Sequence, residues 1–96
     1  MLKQLESKFD GTGEMRGYHF YQLKSDGNAY LYELTDDDGR KHYEVFEYKV
    51  NTQFGNISYP KSKAFGVWAW CINSLDKAVI KFNEVSNRVR KRNGLL

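Results

Sequence analysis

Residues 74–92 constrain this chain more than any other stretch. Leu75, Ala78, Val79, Phe82, Val85 and Val89 recur at spacings of three and four, which draws one apolar stripe along an α-helix. Lys77, Lys81, Glu84, Arg88 and Lys91 fall on another face. Ser74 has the side chain of an N-cap, Asp76 suits the positive end of the helix dipole, and Gly94 supplies a C-terminal stop. Such a helix holds only against a surface that buries its stripe. That surface has to come from the segments before it.

Those segments read as strands. Tyr18-His19-Phe20-Tyr21-Gln22-Leu23 ends at Ser25-Asp26-Gly27-Asn28, whose Asp-Gly pair suits a hairpin turn. Ala29-Tyr30-Leu31-Tyr32-Glu33-Leu34 breaks at a second hairpin signal, Asp36-Asp37-Asp38-Gly39. His42–Val50 is the third run, and its Glu44, Glu47 and Lys49 predict some exposure. A loop over 51–63 carries Phe54, Gly55, Tyr59 and the only proline, Pro60; its length is unusual for a hairpin connection. Phe65–Ile72 is the fourth strand. Residues 1–14 form an arm or edge strand: Leu2, Leu5 and Phe9 have rough helical spacing, but Asp10-Gly11-Thr12-Gly13 stops any helix early.

The expected fold is therefore α+β and a single domain over residues 1–96. It has a four-stranded, mainly antiparallel sheet (ββββα) within 15–72 and one C-terminal amphipathic helix, 74–92, packed on one face. Ninety-six residues make one domain with one modest core. The single Cys71 excludes an internal disulfide, no run approaches the roughly 20 apolar residues of a membrane span, and Met1–Glu6 lacks a signal-peptide core. These features predict a reduced, cytoplasmic setting without membrane contact, in which the sequon Asn56-Ile57-Ser58 is a chance match. The net charge of +3 is local: without Arg88, Arg90, Lys91 and Arg92 it falls to −1.

One helix covers one face of a sheet. Period-two sorting puts Phe65, Val67, Ala69 and Cys71 on one side, small enough to lie beneath the helix, and Gly66, Trp68, Trp70 and Ile72 on the other. The first two strands carry aromatics on both sides, Phe20 against Tyr21 and Tyr30 and Tyr32 against Leu31, so the second face is not expected to be plainly polar. Three covers compete: the arm and long loop folded into a second small core, a second copy of the chain, or a binding partner.

Site chemistry narrows by elimination. Aligning Gly39 with the glycine of a calcium loop puts Leu34 and Val45 at the first and last ligand positions, so Asp36–Gly39 is a solvated hairpin. His19, His42 and Cys71 have no metal-site spacing, and no metal or cofactor is expected. Gly11–Gly17 has one residue too many for a dinucleotide fingerprint, and its glycines serve a turn. Cys71 reads as a small buried hydrophobe, and Glu44 and Glu47 point to opposite faces of a strand, so no catalytic pair is suggested.

The remaining expectation is a non-catalytic binding module. Trp68, Trp70, Tyr30 and Tyr32 can stack bases, while Lys61, Lys63, Arg88, Arg90, Lys91 and Arg92 can neutralise phosphates. Against this stands the plain role of cations in a helix's last turn. Over roughly residues 18–85, antiparallel strands followed by a helix opening at Ser74-Leu75-Asp76-Lys77-Ala78 resemble in topology the sheet-type DNA-binding domains of plant transcription factors and phage integrase arms. No motif of theirs is matched residue by residue, so no positions are carried over. The alternative is a protein-binding adaptor, an inhibitor of the phage or mobile-element kind, or a homodimer, using the Tyr/Trp-rich face.

Overall fold

The computed structural model describes residues 4–94. Among the described residues, seven strands precede one α-helix: β1 (Lys8–Asp10), β2 (Tyr18–Ser25), β3 (Ala29–Asp36), β4 (Lys41–Glu47), β5 (Val50–Asn51), β6 (Asn56–Ile57), β7 (Ala69–Ile72) and α1 (Leu75–Arg92). Five of them form an antiparallel sheet in the order β1-β2-β3-β4-β7, and α1 packs on it. The α+β architecture is as expected. The arm contributes the fifth strand, with Phe9 opposite Phe20. Residues 1–3, including Leu2, lie outside the described residues.

Local chemistry explains the turns. Asp26 Oδ1 accepts from the Asn28 and Ala29 amides, and Gly27 takes a φ of 83°. Asp36 Oδ1 accepts from the Asp38 and Arg40 amides at 2.9 Å, so the acid run is the hairpin its sequence predicts. In the arm, a Cβ on Gly11 would meet the Met15 carbonyl oxygen at 2.1 Å; only glycine lets the chain close on itself there.

The sheet has a core on each face. Ala29, Leu31, Tyr43 and Val45 meet Ala78, Phe82, Val85 and Val89 of α1. Leu75 departs from the predicted stripe and is 44% exposed. Ser74 occupies the N-cap, its carbonyl accepting from Ala78, but its side chain makes no capping hydrogen bond. Gly94, at φ 71°, ends the helix as expected.

The other face carries Phe20, Tyr30, Tyr32, Leu34 and Phe46 in an aromatic cluster. Leu5, Phe9 and Met15 of the arm and Tyr59, Phe65 and Trp68 of the 51–68 segment pack over it. Of the three covers considered, the arm and long loop close this face. The loop itself is partly regular, because β5 and β6 pair as a small hairpin.

The fourth strand is shorter than expected and its faces are exchanged. Residues 62–64 form a 3-10 turn, Gly66 takes a φ of 86° and donates to the Ala69 carbonyl, and β7 starts only at Ala69. Ala69 lies in the aromatic core, whereas Trp70 and Ile72 pack on the helix side. Trp68, outside the strand, packs instead against the aromatic core. The two tryptophans therefore do not share a face.

Candidate functional site

The aromatic cover defines the first region of interest. Tyr30 and Tyr32 are buried, so neither offers a ring to a partner, contrary to their nomination as binding residues. Their hydroxyls are consumed internally: Tyr30 donates to Gln4 Oε1 at 3.1 Å, and Tyr32 donates to the Glu6 carbonyl at 2.6 Å. Burial pushes the Tyr32 phenol up to about 12. Between the arm and the loop, a cleft of about 1060 Å³ descends to Phe20, Ile57, Tyr59 and Glu44.

Glu44 and Glu47 are buried, which corrects the exposure predicted for them; burial is tolerable because each has a partner. Glu44 accepts from the Tyr59 hydroxyl, and desolvation raises its carboxyl above the ordinary value. Glu47 accepts two hydrogen bonds from Arg92, whose guanidinium holds its carboxyl low. The two acids do lie on opposite faces, so they form no catalytic pair.

The second region is the free edge of β7. Pairing of Val45 with Trp70 and of Glu44 with Cys71, together with the Glu47 N–H to Trp68 carbonyl bond, turns the Cys71 N–H and C=O away from β4. Cys71 is exposed here, not buried as predicted, because its strand ends the sheet. Partial desolvation and the Glu44 charge raise its thiol above the ordinary value, which disfavours the nucleophilic thiolate.

Cations gather along this edge. Lys49 Nζ lies 4.9 Å from the Trp68 ring centre, Lys81 Nζ 4.9 Å from that of Trp70, and Arg88 Cζ 5.1 Å from the same ring. Both tryptophans remain partly exposed. Residues 49–96 hold nine Lys and Arg against two acids, Asp76 and Glu84; of these cations Lys81 is also paired with Glu84 at 3.3 Å. Sequence reasoning missed Lys49 and Lys81, since no local pattern places them over rings distant in the chain.

The C-terminal cations are divided among different duties. Arg92 is committed to Glu47, Arg88 lies on Trp70, and Arg90 acts on Asp26. Burial works against the Asp26 charge, yet hydrogen bonds from Ser86 and two amides, with Arg90 nearby, hold its carboxyl low. Lys91, Lys61 and Lys63 are exposed.

Among the described residues, no group of three or more His, Cys, Asp or Glu side chains could hold a metal ion, and no helix is long and apolar enough to cross a membrane. His19 is spanned by Asp10 and Asp37, while His42 packs edge-on to Tyr18. No protein-family model, curated protein or solved structure matches this chain.

Proposed function

We propose that the protein is a small non-catalytic binding module that contacts nucleic acid along the open β7 edge and the adjoining surface of α1. The observation that carries this reading is that each partly exposed tryptophan beside the open edge bears cations, Lys49 over Trp68 on one face and Lys81 with Arg88 over Trp70 on the other. Cations positioned on a low-polarity surface displace counterions from phosphates, and an indole edge or face freed by a small cation shift stacks on a base. Lys91, Lys61 and Lys63 extend the same positive field. Tyr30, Tyr32 and Arg92 play no part, because they are engaged internally.

Fluorescence anisotropy with single-stranded DNA, duplex DNA and single-stranded RNA tests the reading. Affinity falls steeply between about 50 and 200 mM salt, and Lys81→Ala with Arg88→Ala lowers the salt slope by about 1 for each phosphate left without its cation. Absent or salt-insensitive binding to all three overturns it.

The free edge supports a second reading, a protein partner that adds a strand beside Cys71. Its affinity depends on main-chain pairing, so it survives both neutralisations and high salt. A homodimer formed through the same edge would appear as a doubled mass in light scattering.

A further inference from the structure

We infer that the β7 edge takes single-stranded nucleic acid in preference to duplex, with the strand crossing the edge at Cys71 and setting one unpaired base on Trp68 and another on Trp70. This preference rests on the nucleic-acid contact proposed above and adds to it the form of the partner.

The placement of the two tryptophans carries it. They stand two residues apart in sequence, yet Trp68 packs against the aromatic core and Trp70 on the helix side. Each is partly exposed and each has its own cations, Lys49 over Trp68 and Lys81 with Arg88 over Trp70. A ligand that uses both indoles therefore passes from one face of the sheet to the other around its open edge.

A duplex does not make that turn, because its persistence length of about 50 nm far exceeds the thickness of a sheet edge. The edge does not enter a duplex groove either. The major groove is about 12 Å wide, and a helix with its side chains is already about 10–12 Å across. Trp70 lies between α1 and the sheet, so helix, indole and strand together are wider than the groove. Bases in a duplex also stay stacked on one another, which leaves the indoles nothing to stack on. A single strand bends at each nucleotide and frees its base faces for aromatic rings or for a guanidinium plane such as that of Arg88.

The path between the indoles is open. Cys71 is exposed, and its N–H and C=O point away from β4, one donor and one acceptor for the edge of an unpaired base. Residues 48–75 hold Lys49, Lys61 and Lys63 and no Asp or Glu. Glu44, paired with Cys71 across the strands, is 3% exposed and bonded by Tyr59, and Glu84 of α1 is paired with Lys81. Phosphates crossing here meet little repulsion.

The test is fluorescence anisotropy of the whole chain at one low salt concentration with four probes of equal length, about 12 nucleotides, within the span of compact single-strand sites. They are single-stranded DNA of mixed sequence, the matching RNA, the DNA duplex, and an abasic strand that keeps sugars and phosphates without bases. Charge alone favours the duplex, whose phosphates are the most densely spaced, so the order of affinities separates stacking from charge. Both single strands bind about tenfold or more tightly than the duplex or the abasic strand, and both quench tryptophan emission. Trp68→Leu and Trp70→Leu each weaken single-strand binding by about fivefold or more. The duplex and abasic comparisons decide the matter on the unaltered protein if a variant fails to fold. Duplex or abasic binding as tight as that of the single strands, unquenched emission, or an effect confined to one tryptophan overturns the single-strand preference; salt-dependent binding in those cases leaves the nucleic-acid contact itself standing. Binding to none of the four overturns both.

Discussion

Arg92 closes on Glu47 with both arms of its guanidinium, Nη1 to Oε1 and Nη2 to Oε2, each at 2.8 Å. The Glu47 side chain is 5% exposed and that of Arg92 53%, so the acid is interior and the base reaches it from solvent. This pair ties the last turn of α1 to the end of β4. It also removes one positive charge from the surface on which the helix end would otherwise act.

Breaking that pair has a pH signature. Arg92→Ala leaves Glu47 buried without its partner and lowers stability by about 1–3 kcal/mol, the lower end reflecting solvent screening at Arg92. The folded-state pKa of Glu47 is depressed, so the pair's contribution is present above the ordinary carboxylate value of 4.5 and lost as pH falls through the folded value. Urea midpoints measured from neutral pH down into acid should fall less steeply in Arg92→Ala than in the wild type. Parallel curves would disprove the assignment.

Glu44 carries the opposite sign. Desolvation raises its folded-state pKa, so its titration weakens the fold as pH rises from 4.5 through the folded value. Tyr59→Phe removes the hydroxyl that donates to it and costs about 1–3 kcal/mol, more where Glu44 is ionised than where it is protonated. Chemical denaturation of Tyr59→Phe on either side of that titration reads the difference; a pH-independent loss would mean that ring packing alone is affected.

His19 fastens β1 and the β3–β4 hairpin to β2 when it is charged. Nδ1 lies 2.8 Å from Asp10 and Nε2 3.1 Å from Asp37, and these bonds raise its pKa above 6.5. A raised histidine pKa contributes stability below 6.5 that is lost as pH rises through the folded value. NMR titration should place His19 above His42, whose burial lowers it. His19→Gln should erase the change in β1 amide exchange across that interval.

Gly11→Ala tests the arm's closure. The new methyl would sit 2.1 Å from the Met15 carbonyl oxygen, a backbone atom, so the turn must open. We expect a loss of about 2 kcal/mol or more and faster exchange of the Gln22 amide, which donates to the Ser7 carbonyl at 2.7 Å. Wild-type exchange at Gln22 would show that the arm tolerates the shift.

The residues 74–92, with their three- and four-residue spacing, determine α1 by themselves, because helical periodicity is a local property of the chain. Asp26-Gly27 and Asp36–Gly39 likewise determine their hairpins, since each turn is closed by its own carboxylate and a positive-φ glycine. Alternation in Ala69–Ile72 separates Ala69 from Trp70, but it carries no sign, so which set faces the helix is decided only when both covers are in place. The Gly66 turn then takes Trp68 out of the alternation altogether. The burial of Glu44 and Glu47 was illegible for a related reason: their partners, Tyr59 and Arg92, stand 15 and 45 residues away. Periodicity and turn chemistry are written within a few residues, whereas partners for buried charge, the cover of a sheet face and cations over distant rings exist only once the chain has closed on itself.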